Sequence, residues 1–239
     1  MSVDTHGHTE HGHHEPVEVV DRRQRMAVWL FIGGDIVTLS AMLFTYLYLR
    51  GTNTGGHWMS MVGYDQSHSA DYYMNAASLP DPKLIHIHPM SASYSWLVAA
   101  VVVVSALILW GGEKTLRAGS QRASQFSATA ALASIVAVAA SAMSIIQLRH
   151  LPQIFAMHND SMVWAYTSYS SAMMLLIGTA VVHFILLAFL GLGLTIRSAR
   201  GVVSAEKWHQ VRLVRLFWVW TAVSVVVTTA LTTTVNTIH

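Results

Sequence analysis

Five stretches of this 239-residue chain are apolar for long enough to cross a lipid bilayer, and that leaves few folds open to it. They cover about residues 26–49, 92–111, 127–148, 168–196 and 213–235. Roughly 30 Å of hydrocarbon is crossed by about 20 helical residues rising 1.5 Å each. Each stretch stands alone between polar segments, and an open strand cannot satisfy its backbone in lipid, so each is predicted to be a helix. Composition agrees, since 53% of the residues are hydrophobic and only 11% are charged, against about 25% charged in soluble domains. The expected fold class is therefore an all-α membrane protein, a bundle of five transmembrane helices built from residues 26–239. Residues 1–25 are expected to form a disordered, histidine-rich tail. They contain no apolar core of the signal-peptide type, so the first span is expected to serve as the targeting signal.

Basic residues orient the bundle. Arg22, Arg23, Arg25, Lys114, Arg117, Arg122, Arg197, Arg200, Lys207, Arg212 and Arg215 fall on one side of a five-span topology, and only Arg50, Lys83 and Arg149 on the other. Positive charge favours the cytoplasmic side, so the N-terminus is expected inside and His239 on the outer face. Trp208, Trp218 and Trp220 are then expected at the inner interface, and Trp58, Trp96 and Trp164 at the outer one. The third span, SATAALASIVAVAASAMS over residues 127–144, is dense in small residues that let backbones approach closely. It is expected at the centre of the bundle or buried against a partner. Residues 51–90 form a long outer loop, of a length that usually serves a purpose or docks on something.

Chemistry is constrained by what is missing. There is no cysteine, hence no disulfide, no thiolate metal site and no two-cysteine copper centre. A formal charge of +2 gives no reason to expect nucleic acid as a partner. A haem-copper core needs about six imidazoles on facing helices, whereas His183 is the only histidine well inside a predicted span. Catalytic residues are not expected, and neither is a cofactor bound by this chain alone. Other histidines cluster at His6, His8, His11, His13 and His14 in the tail and at His86 and His88 in the loop. Alternate residues of an extended strand share a face, so His86 and His88 are candidate copper or zinc ligands, although loop packing or partner contact accounts for them as well.

The costly residue is Asp35, the only acid within the predicted spans. A charge at the bilayer centre costs roughly 2.5–3.5 kcal/mol on insertion scales, so Asp35 must face protein, water or a polar group. Gly33 and Gly34 precede it and would admit a neighbouring helix or a headgroup, and Thr38 lies on the same helical face. Three roles remain open for Asp35: interhelical hydrogen bonding, a place in a lipid or partner cleft, and proton transfer. His183 is either structural or a partner of Asp35.

These residues carry a resemblance. The run Trp29-Leu30-Phe31-Ile32-Gly33-Gly34-Asp35, with Phe44, Tyr46 and Arg50 at the helix end, resembles subunit III of the haem-copper oxidases, the cytochrome c and quinol oxidase family, in which a tryptophan and an aromatic precede a buried acid on the first helix of a five-helix core. Ser78-Leu79-Pro80-Asp81-Pro82 is similar to the leucine and proline segment before the family's next helix. Gly178 and His183 match the glycine and second histidine of its fourth-helix pattern. Ala180 stands at the first histidine, and Val219 and Ala222 at a histidine and an aspartate of the last helix, so the chain resembles a divergent five-helix bacterial form.

The resemblance implies a non-catalytic, multi-pass subunit of a respiratory terminal oxidase in the bacterial plasma membrane. Such a chain packs on the catalytic subunit I, alongside subunit II, holds phospholipid, and supports proton uptake and complex stability while oxygen is reduced to water. It implies haem and copper in the partner and none here, and it allows membership of a larger supercomplex. Trp29, Gly33, Gly34, Asp35, Thr38, Gly178 and His183 are then the expected buried polar, lipid-cleft or interface residues. Two alternatives are an accessory protein of a nitric oxide reductase and a membrane metal-binding protein that uses Asp35, His86 and His88.

Overall fold

The computed structural model describes residues 17–51, 60–62, 84–86, 91–119, 123–149, 156–158, 161–163, 168–204 and 208–235. Five helices follow one another: α1 Val17–Gly51, α2 Ala92–Arg117, α3 Ala123–Arg149, α4 Ser168–Ala199 and α5 His209–Val235. All five are long and apolar enough to cross a membrane. Two short antiparallel ladders occur between them, β1 Ser60–Val62 with β2 Leu84–His86, and β3 Ala156–His158 with β4 Ser161–Val163.

Two helices run further than their apolar cores suggest. The expected tail is already helical from Val17, where the charges of Asp21 and Arg25 pair one turn apart on α1. Helix α2 continues past residue 111 to Arg117 and carries a buried acid, Glu113, which is 2% exposed. Asp35 is therefore not the only acid inside a spanning helix. The α2 helix opens on Ser91, whose hydroxyl accepts from the Tyr94 N–H. The α4 helix closes on Gly201, at φ +70°, where Gly201 and Val202 donate to the carbonyls of Ser198 and Arg197.

Helix α4 packs principally on α1, α3 and α5, and α2 is held between α3 and α5. The small-residue face of α3 is buried through Ala130, Ala133, Ala137 and Ala140, while Leu132, Ile135 and Val138 face outward. The third span is thus buried on one side against α2 and α4 and is not central. Close approach is needed at Gly191 of α4, where a Cβ would meet Ser134 of α3 and lie 2.8 Å from the Trp218 ring of α5. Trp218 is fully buried and donates to Ser105 Oγ at 2.7 Å; Ser105 donates in turn to the Ala133 carbonyl at 2.8 Å, so one relay joins α5, α2 and α3. Instead of marking the inner interface, Trp218 turns inward, because its N–H needs an acceptor and the bundle supplies one. The Arg117 guanidinium lies 4.1 Å from the ring centre of Trp208. Trp96 is exposed, and Trp58 and Trp164 lie outside the described residues.

Leu43 and Tyr46 anchor α1 against Met173, Leu176 and Ile177 of α4. Only 11% of its apolar window is buried, against 28–39% for the other four helices, so most of its surface is left to lipid or to another protein.

Candidate functional site

Asp35 sits midway along α1, and among the described residues the polar side chains it meets come from two other helices. His183 Nε2 of α4 lies 3.1 Å from Asp35 Oδ1, and Trp220 Nε1 of α5 donates to Asp35 Oδ2. On the far edge of the imidazole, His183 Nδ1 is 2.8 Å from the Thr179 carbonyl, one helical turn back. The Phe217 ring stacks on His183 at 5.9 Å, and Phe31 meets Phe217 edge-on at 5.3 Å. Asp35 and His183 side chains are 13% and 10% exposed.

Hydrogen-bond logic fixes much of the protonation pattern. A carbonyl oxygen only accepts, so His183 Nδ1 carries a proton and donates it to Thr179. Trp220 N–H only donates, so Asp35 Oδ2 is an acceptor. One proton then lies between His183 Nε2 and Asp35 Oδ1. With it on oxygen the pair is a neutral acid and a neutral imidazole; with it on nitrogen, a carboxylate and an imidazolium. Both forms have zero net charge, which is how an acid is carried at this depth without the full cost of a buried ion.

The structure brings Asp35 and His183 together and leaves the other expected site residues apart. Trp29 is 57% exposed on α1. Gly33 and Gly34 have open space where a Cβ would stand, so among the described residues no neighbour requires a glycine there. Thr38 is exposed, and its hydroxyl donates to the Gly34 carbonyl at 3.0 Å, not to the Asp35 site. Gly178 likewise has nothing close to it. The backbone of His86 lies in β2 opposite Ser60, whereas His88 and the histidines of residues 1–16 lie outside the described residues. Among the described residues, no three histidine, cysteine or acidic side chains converge as metal ligands would.

Sequence reasoning missed Trp220, placed at the interface by its residue type, and the pairing of Glu113 with Arg215. Arg215 Nε of α5 stands 2.6 Å from Glu113 Oε2 of α2 at the arginine-bearing end of the bundle. The N–H is not aimed along a hydrogen bond, so this is a charge contact. A recognisable signal existed for it: Glu113 lies within one turn of the predicted end of its span, on the side where arginines gather.

No family model and no curated protein matches this chain.

Proposed function

We propose that this chain is a non-catalytic, subunit-III-like component of a respiratory haem-copper oxidase, packed on the catalytic subunit of a bacterial plasma membrane complex. One observation carries the reading. The acid of the first span and the histidine of the fourth, two of the positions at which the sequence resembles that family, meet at 3.1 Å and form the polar junction of the bundle. The broad uncovered surface of α1 suits a chain that is completed by a neighbour and by lipid. Arginine-bearing helix ends lie together, where Glu113 of α2 meets Arg215 of α5, in keeping with an N-terminus on the cytoplasmic side. In such a complex this chain binds no oxygen and carries no electrons; it holds helices, lipid and a proton-bearing pair beside the chain that does.

Purification in mild detergent, with identification of the co-purifying chains and their haem spectra, tests this. The expected result is a stoichiometric polytopic partner containing haem and copper, with oxygen-reducing activity. A chain that purifies alone, folded and without any haem-bearing companion, overturns it; haem with nitric oxide reduction and no oxygen reduction assigns the chain to the other reductase.

A further inference from the structure

The surroundings of the Asp35–His183 pair are lopsided. Towards the arginine-bearing end, the buried Phe217 ring stacks on His183, with Phe31 edge-on behind it. Towards the opposite end lies a cavity of about 60 Å³ that begins at Asp35 and His183. Most of its wall is apolar, and hydroxyls and an amide are set into it: Ser224, Thr228 and Thr232 of α5, Ser144 and Gln147 of α3, and Ser95 of α2. From Trp220, level with Asp35, to Thr232 is roughly 18 Å along α5 at 1.5 Å per residue. Gln147 and Ser95 sit in the last turn of α3 and the first turn of α2, joined by a 2.7 Å hydrogen bond, and Ser95 is partly exposed.

We infer that this cavity is a water-filled well through which the proton of the Asp35–His183 pair exchanges with the aqueous phase at the end of the bundle away from the arginines, and only with that phase. Its volume accommodates about four waters at roughly 15 Å³ each, and the hydroxyls, the Gln147 amide and the Asp35–His183 pair supply the polar partners that a water needs within an otherwise apolar wall. The lining also selects the occupant. Ser224 and Thr232 spend their hydroxyl protons on the helical carbonyls of Thr221 and Thr228, which leaves oxygen lone pairs facing the cavity. An acceptor-rich wall suits water, hydronium or a small cation and disfavours anions. Among the described residues, Asp35 and His183 are the titratable side chains that line it. Aromatic closure on the other side makes the access one-sided. This inference rests on the cavity and the pair alone and holds whichever complex the chain serves.

The absence of native cysteine makes a direct test available. Single cysteines replace Ser224, Thr228 and Thr232 within the well, and Val223 and Val227 on the outward face of the same helix, in the full chain in sealed native membrane vesicles of either orientation. Ag⁺, small enough for a water-sized passage, is added from one side; thiols left unreacted are then counted by alkylation after denaturation and located by peptide mass. Thiolate forms only where water reaches, so the three well positions are expected to react at least about tenfold faster than the two controls, from the side away from the arginines only. Ser144→Cys on α3 provides a second entry should an α5 variant fail to fold. Well positions that react no faster than Val223→Cys and Val227→Cys, or that react equally from both sides, overturn the inference.

Discussion

Replacing Asp35 probes both the strength of the junction and where its proton lies. In Asp35→Ala, Trp220 Nε1 and His183 Nε2 lose their partners together. An orphaned buried polar group costs about 1–3 kcal/mol in soluble proteins, while interhelical hydrogen bonds measured in a membrane average about 0.6 and reach about 1.7 kcal/mol. Two bonds lost at a depth where no bulk solvent replaces them give an expected destabilisation of about 1–3 kcal/mol. Asp35→Asn behaves differently. Its amide oxygen still accepts from Trp220, and its NH₂ donates to His183 Nε2 provided the imidazole is neutral with its proton on Nδ1. A neutral pair therefore predicts a loss below about 1 kcal/mol for Asn. An ion pair predicts a larger loss, because the imidazole can release its Nε2 proton and accept from the amide, but the attraction between carboxylate and imidazolium is not replaced. Unfolding in mixed micelles by added denaturing detergent, followed by circular dichroism, measures both. An Asp35→Ala variant as stable as the parent refutes the argument that this carboxyl joins α1 to α4 and α5.

Other positions give independent checks. Glu113→Ala strands the Arg215 guanidinium at its membrane end and is expected to cost about 1–3 kcal/mol, less than for a fully enclosed pair because Arg215 remains 19% exposed. The apolar double variant Glu113→Leu with Arg215→Met is expected to recover most of that loss, which the same unfolding titration reads. Gly191→Ala pushes a methyl into Ser134 and the Trp218 ring and is expected to destabilise by about 1–3 kcal/mol, whereas Gly193→Ala, with open space, is expected to be neutral or slightly stabilising. Thr38→Ala is expected to change neither stability nor assembly, since its hydroxyl bonds only its own helix.

Hydrocarbon thickness made the spans legible, because it demands a fixed length of apolar helix wherever the chain crosses. The ends were less so. Glu113 falls just beyond the predicted end of the second span, and although its place among the arginines hints at a basic partner, nothing in the local sequence of α2 says that this partner is Arg215 of α5. Asp35 was legible as a residue that must be sheltered, because charge in lipid is costly wherever it occurs. Its sheltering partners were not, because which face of α4 or α5 turns to α1 is decided by packing across the bundle. Trp220 shows the difficulty well: its residue type argues for the interface, and one acceptor at the right depth draws it inside. Thr38 was expected beside Asp35, but a hydroxyl in a helix can satisfy itself on the preceding turn, and this one does.

Photo-crosslinking along the uncovered face of α1 tests most directly the claim that this bundle is completed by a haem-bearing neighbour. Leu30, Val37 and Phe44 are each about 70% exposed, and a photoreactive phenylalanine analogue at these positions in native membranes samples successive depths of the helix. The account predicts adducts to one polytopic chain that carries haem at one or more of the three positions. Adducts to lipid alone at all three, in a chain that remains folded, would contradict it.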